Sequence, residues 1–493
     1  MIKKEEMQEL QNTEQRLKKY SNLTDIIGFR ELPKSMFDIL NAVYPNCSEQ
    51  ELEARINPNI SRIDFVGGGI SGVTAAYVAG ELSRRYNLGW EIHVWDRLDF
   101  VGLKSTKDSA ARTRTSMFGS VDETRGNLAT SLFHENLDSI LRYGAREAGK
   151  QFDVDVHTGL SRCGYLWLFE DETSRERVQA NQQMLTGMGI PSFCLNPKEV
   201  SQLVPGIAED RFKLAYFCPT DAFVEPTSIV NALHAYASRV LGINFHFNEE
   251  IGEIRVDAGK KIRFTAQTVG NGAHHHEYET DRLGLTTGAC LKEMGRRFII
   301  NGRQDTIPIQ LKPVARQLTY VEGFTPQELD ALTPFTILMG NGAYFSRESP
   351  ASNAVIFGYA RKSDPEVPSE RIFDEIQPNP EYFVEHVLGE GRLDGIHKAI
   401  TLDSERIHPI RHAGNLYGET SDGSYLIGLL SRVENARPDG KVGVTSGCNG
   451  HGIMSSLKSA VLLVYRLAGI HQEDNPLYAP SRDMKEHGGT QRL

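Results

Sequence analysis

The sequence predicts a mixed α/β protein, and three observations carry that prediction. A short apolar strand, Ile63-Asp64-Phe65-Val66, runs straight into Gly67-Gly68-Gly69-Ile70-Ser71-Gly72 and then into a helical run over 73–85. A second strand follows over 91–95; strand, glycine turn, helix and strand make the βαβ unit of a parallel sheet. Beyond it strand-like and helix-like segments alternate with no fixed period, which excludes solenoids and propellers.

Composition agrees. The 493 residues are 40% apolar and 24% charged, a globular balance, and at roughly 100–200 residues per domain they allow two to four domains. With 54 Lys and Arg against 64 Asp and Glu the net charge is −10, and no basic stripe is present, so a nucleic-acid partner is not expected. No stretch reaches the roughly 20 apolar residues of a membrane helix. The six cysteines are scattered without a C-x-x-C pair, which reads as reduced thiols in a cytoplasmic protein and argues against a thiolate zinc site.

Taken in order, residues 1–60 read as a helical extension, with helices over 5–20 and 34–43 and a third opened by the capping-box pattern Ser48-Glu49-Gln50-Glu51. Nothing in it carries chemistry, and packing or a homo-oligomeric subunit contact is its expected role. Further helices are expected over 128–142, 175–188, 227–241 and 455–467, and strands over 165–169, 243–247, 261–266, 317–321 and 354–359. The segment 270–277, with His274-His275-His276, reads as a hairpin loop; consecutive histidines on a strand point to opposite faces, so no metal is expected there.

The glycine turn carries the functional signal. In Gly67-x-Gly69-x-x-Gly72 the first glycine permits a tight turn, the second lets the backbone approach a pyrophosphate, and the third lets helix and strand pack closely. Asp96 ends the second strand twenty-four positions after Gly72, where a carboxylate can accept from ribose hydroxyls. Together these predict dinucleotide binding, without choosing between FAD and NAD. Near the other end, Gly447-Cys448-Asn449-Gly450-His451-Gly452-Ile453-Met454 forms a second glycine turn leading into a helix, whose amides could approach an electron-rich ring. Leu285-Thr286-Thr287-Gly288-Ala289 ends a further strand in a small-residue turn.

These elements, with the segment 215–233 between them, resemble the FAD-dependent amine oxidoreductases of the D-amino-acid oxidase and sarcosine oxidase family over about 63–469. The resemblance implies a Rossmann-type FAD-binding domain, discontinuous over 61–145, 206–290 and 426–472, a β-sheet substrate domain over 146–205 and 291–425, and a tail over 473–493. It implies an FAD site in which Gly67, Gly69, Ile70, Ser71 and Gly72 meet the phosphates and Asp96 and Arg97 the ribose. Glu250 and Ile251 would lie near adenine, Thr287 and Gly288 beside the cofactor, and Gly450, His451, Gly452, Ile453 and Met454 against the flavin ring. Arg112 matches an arginine carried close to the flavin. His451, Tyr344 and Tyr417 are the other candidate catalytic side chains.

Departures refine what the resemblance implies. Met454 stands where the sarcosine oxidase branch has a carboxylate-binding lysine, and Thr115 where it has a second arginine, which points to a larger or less acidic amine than glycine or sarcosine. Ile356 replaces a lysine that assists oxygen in that branch, so another electron carrier competes with oxygen as acceptor. Gly414-Asn415-Leu416-Tyr417 lacks a tethering cysteine, which implies noncovalent FAD. The expected activity is oxidation of a C–N bond in an amine or amino-acid-like metabolite by hydride transfer, giving an imine. Two readings compete with it: a flavin-dependent 2-hydroxy acid dehydrogenase and a noncatalytic FAD-bearing scaffold.

Overall fold

The structure, a computed structural model, describes residues 3–20, 22–44, 49–115, 118–270, 275–340, 342–360, 364–401, 405–430, 441–470 and 478–480. The βαβ unit forms as Arg62–Val66, Ile70–Arg85 and Glu91–Trp95. Its helix starts at Ile70 rather than 73, because extended Gly69 is already the N-cap and Ile70, Ser71 and Gly72 make the first turn.

This unit belongs to a six-stranded sheet ordered Leu426–Leu429, Val442–Ser446, Arg282–Leu285, Arg62–Val66, Glu91–Trp95 and Asn244–His246. Every neighbouring pair is parallel except the Leu426–Leu429 edge. Three distant stretches of sequence thus end side by side, and the turns that follow Val66, Leu285 and Ser446 emerge at one edge of the sheet. Helix Ile70–Arg85 packs against both Pro226–Arg239 and Ser456–Leu467. A five-stranded sheet carries the antiparallel pair Ile262–Thr268 and His275–Thr280. His275 and His276 lie exposed on the second of these strands, while His274 falls outside the described residues.

The third large sheet has eight strands, ordered His408–Glu419, Lys312–Glu322, Val355–Tyr359, Ala343–Arg347, Phe335–Leu338, Tyr165–Phe169, Leu214–Cys218 and Phe193–Leu195. Strand alternation divides it between two cores. Tyr165, Trp167, Tyr216, Cys218, Phe335 and Ile337 join the cluster that contains Ile453 and Met454. Leu166, Leu168, Ala215, Phe217, Leu338 and Phe345 face the opposite core. The edge strand His408–Glu419 was not predicted, since it opens on His-Pro and its alternation is broken by Gly, His and Asn.

The N-terminal helices are woven into both cores. The expected helix over 5–20 is two, Lys4–Gln11 and Thr13–Lys19, because Asn12 caps the second by accepting from Gln15 N at 2.9 Å. Met7, Leu10 and Tyr20 enter one core, and Leu23, Met36, Phe37 and Ile39 the other. Ser48 of the third expected helix lies outside the described residues; that helix is Glu49–Arg55. The expected helix over 128–142 is likewise two, Val121–Glu135 and Leu137–Glu147. The first starts early, at a Ser120–Glu123 capping box, and the break falls at Asn136, whose Nδ2 donates to Leu132 O and Thr24 Oγ1.

Glu135 ties these pieces together. It accepts from Leu23 N at 3.0 Å, Thr24 N at 3.0 Å and Thr24 Oγ1 at 2.9 Å, and pairs with buried Arg162, which also donates to Thr220 O at 2.5 Å. Glu135→Ala would strand the buried guanidinium and free the extension, so it should lower stability by about 3 kcal/mol. Urea unfolding of the variant checks this, and a midpoint equal to that of the parent would contradict it.

Candidate active site

The glycine turn is held by contacts from three strands. Gly67 has φ +110°, a left-handed value that a side chain would strain, and its amide donates to Trp95 O at 2.8 Å. The hydroxyl of Thr286 donates to Val66 O at 2.8 Å and to Gly67 O at 3.0 Å. A Cβ on Gly72 would stand 1.8 Å from Gly67 O, so helix and turn touch with no room for a side chain. Gly69 differs: a Cβ there would meet nothing nearer than Thr106 Oγ1 at 3.5 Å, and its open side faces the cleft. Thr106 Oγ1 also accepts from Ile70 N at 3.2 Å, and the amides of Ser71 and Gly72 complete the positive first turn of the helix.

Asp96 accepts from Gly68 N at 2.5 Å and Leu98 N at 2.8 Å. Burial pushes its carboxyl up, and the two amides act against that shift. Beyond it Glu250 receives Arg297 at 2.7 Å and Arg97 at 4.0 Å, and Arg297 also donates to Ile251 O. On the other side Gly288 follows Thr287, whose Oγ1 is buried without a hydrogen bond among the described residues, and Ser446 Oγ donates to Gly288 O at 2.7 Å.

The second glycine turn is shaped from within. Asn449 sits at φ +47° and closes it by donating from Nδ2 to Gly447 O at 2.7 Å and accepting from Thr420 N at 2.9 Å. Gly450, at φ +82°, has the Tyr417 ring where a Cβ would be, 2.7 Å from Cε2. His451 is buried, its amide donates to Cys448 O at 2.7 Å, and its carbonyl accepts Ser455 Oγ at 3.0 Å. Burial pushes the Cys448 thiol up to about 12.

These parts converge on one cleft of about 590 Å³. Gly67, Gly69, Ile70 and Ser71 line one stretch of it, Asp96, Arg97 and Ile251 a second, Thr287 and Gly288 a third, and Gly450, Gly452, Ile453 and Tyr417 a fourth. Gly72, Arg112, His451, Met454 and Tyr344 lie behind this lining rather than on it.

The two arginines after the long loop separate. Arg112 is spent on Ala110 O at 2.5 Å, Ser346 Oγ at 2.8 Å and Arg347 O at 3.1 Å, between the rings of Phe223 and Phe335. Arg114 instead places Nε 3.0 Å from Met454 Sδ, with Tyr165 and Trp167 beneath its guanidinium at 4.6 and 5.3 Å. Neither arginine has a carboxylate at ion-pair distance among the described residues. Burial lowers the Arg112 guanidinium below its usual value. Tyr344 stacks on Phe335 at 5.0 Å, and burial pushes its phenol and that of Tyr417 upward. Ile356 sits in an apolar cluster with Leu318, Tyr320 and Ala413.

The model of the family described as DAO, FAD dependent oxidoreductase, matches residues 66–466. The chain belongs to this family. It is therefore an FAD-dependent oxidoreductase. Among curated proteins it is 25% identical over 182 residues to the mitochondrial pyruvate dehydrogenase phosphatase regulatory subunit of Mus musculus, 37% of this chain and 18% of that one. It is 25% identical over 167 residues to D-amino acid dehydrogenase 2 of Mesorhizobium japonicum, 32% of this chain and 38% of that one. The chain thus spans less than half the length of either. Among solved structures, L-proline dehydrogenase from P. horikoshii shares the fold with a TM-score of 0.64 at 18% identity, covering 88% of this chain and 100% of that one.

The residues present fit FAD. Gly69 and Gly452 leave backbone bare along the cleft, Thr287 offers a hydroxyl unpaired among the described residues, and an uncapped helix terminus faces the stretch between them. Thr106, Thr286 and Arg297 escaped the sequence reading as site residues, and Arg114 ranked behind Arg112 in it. For Arg114 the signal was its place two residues after Arg112; the other three had no local mark.

Gly72→Ala must part the helix from the Gly67 carbonyl. The variant should purify with roughly a tenth of the parent's FAD or less, read as the flavin-to-protein absorbance ratio. Equal occupancy would show the close approach to be dispensable.

Proposed function

We propose that this oxidoreductase oxidises a C–N bond in an amine or amino-acid-like metabolite. The observation that carries the reading is Arg114, a buried cation without a carboxylate partner among the described residues, beside Met454 at the end of the second glycine turn. An unpaired buried charge is costly, and an anionic group of the substrate would offset it. Arg114 thereby supplies a charge at the position where Met454 leaves none, which favours an amino-acid carboxylate over an uncharged amine. The names of two similar proteins, an L-proline dehydrogenase and a D-amino acid dehydrogenase, support the same substrate class.

Bound flavin supplies a two-electron acceptor. The chain's own groups prepare the substrate. The aromatic layer of Tyr165, Trp167, Phe335 and Tyr344 behind the cleft lining keeps water from that side, and apolar surroundings of this kind lower an amine's pKa, delivering the nitrogen with its lone pair free. Loss of hydride from carbon and of a proton from nitrogen gives an imine, which water then splits into a carbonyl compound and an amine or ammonia. Arg112, held rigidly behind this face, contributes positive potential that would stabilise the negative charge bound flavin gains on reduction. The apolar surroundings of Ile356 favour an electron carrier over oxygen as acceptor. The high thiol pKa of Cys448 favours noncovalent FAD.

An anaerobic screen of amines, amino acids and 2-hydroxy acids, read as bleaching of the flavin with mass analysis of products, tests the reading. Bleaching by amino acids with carbonyl products is expected; a keto acid formed only from hydroxy acids would refute it. Arg114→Leu should weaken binding of the bleaching amino acid roughly 10- to 100-fold at unchanged FAD content. Arg112→Ala should slow reduction in stopped-flow mixing while FAD stays bound, and unchanged kinetics would remove Arg112 from the reaction.

A further inference from the structure

We infer that Phe373 is the stacking platform for the adenine ring of the cofactor, carried on a strap over 372–376 that closes that end of the cleft. The inference rests on the cleft holding FAD, and concerns residues far in sequence from both glycine turns.

Phe373 lines the cleft and is half-buried. Its ring lies under the guanidinium of Arg97 at 4.1 Å and near that of Arg297 at 5.8 Å, the two arginines that meet on Glu250. The strap is anchored on both sides of the ring. Ile372 is buried with Ala289 and Leu416, and its carbonyl accepts Cys290 Sγ at 3.9 Å; Ile376 packs where a Cβ on Gly414 would stand, 2.8 Å from Cγ2. Neighbouring Asp374 and Glu375 are exposed, so a single aromatic ring is presented to the cleft from an otherwise polar stretch.

Leaving half of that ring in a wet cleft is unfavourable unless a flat partner covers it. A purine fits: its face stacks on phenyl, and a guanidinium adds a cation–π contact. Arg97 Nε is buried and makes no hydrogen bond among the described residues, which leaves a donor for a ring nitrogen. The neighbouring Asp96 and Ile251 mark the adenosine end of the cleft rather than the flavin end, where Tyr417 and Gly450 lie.

The test is FAD affinity of the deflavinated full-length protein with Ala, Leu, Tyr and Trp at position 373. Phe373→Ala and Phe373→Leu should weaken FAD binding about ten-fold, while Phe373→Tyr and Phe373→Trp stay within about two-fold of the parent. The visible spectrum of bound flavin should be the same in all, because the flavin end is untouched. Loss of affinity in all four variants would mean a general distortion, and Phe373→Leu binding like the parent would mean an apolar plug; either overturns the inference. A parent protein that takes up no FAD would overturn the cofactor assignment as well, whereas tight parental binding matched by Phe373→Ala would sink this inference alone.

Discussion

The contact between the Gly67 carbonyl and the Cα of Gly72, locked by Thr286, is the constraint on which the rest of the site depends. It brings the end of one strand, the first turn of its helix and the end of a neighbouring strand within hydrogen-bond reach of one another. Any side chain at position 72 would push the helix outward, and the amides of Ser71 and Gly72 would move with it. Asp96 reinforces the arrangement from the third side by accepting from Gly68. A helix terminus held this rigidly keeps its positive end aimed at one place without further reorganisation, which is what binding of a diphosphate requires.

Around that lock the protein builds two unlike walls. One is backbone: bare glycine turns with few side chains, suited to close approach. The other is aromatic, because strict alternation along the eight-stranded sheet sends Tyr165, Trp167, Phe335 and Tyr344 to one side and their neighbours into a separate core. Two arginines sit against this second wall, one held through both terminal nitrogens by Ser346 and main-chain carbonyls and one, among the described residues, set against a thioether and two rings. That difference in engagement, rather than their shared charge, separates a fixed source of potential from a group able to take a ligand.

Legibility from sequence followed range. The turn at 67–72, the acid at 96 and the turn at 447–454 could be read because each is a local pattern with its own backbone requirement. Helix interiors were legible too, but their breaks were not: Asn12 and Asn136 look like ordinary polar positions until their side chains are seen to cap or to bond across to Thr24. Arg112 ranked ahead of Arg114 by resemblance alone, since the sequence does not show what faces two positions so close together. Phe373 and Arg297 were invisible for the opposite reason. They meet Arg97 and Glu250 across long stretches of chain, and no spacing rule connects them.

The strand order of the six-stranded sheet has a consequence for biosynthesis. Val442–Ser446 inserts between Leu426–Leu429 and Arg282–Leu285, so the strand second from one edge of the layer lies far along the chain from its inner neighbour. The early βαβ unit can form while translation continues, but one flank stays an open, sticky edge until residue 446 has emerged. The layer is therefore completed by long-range pairing, the slow kind, and its open edge is exposed to wrong partners until that pairing is made.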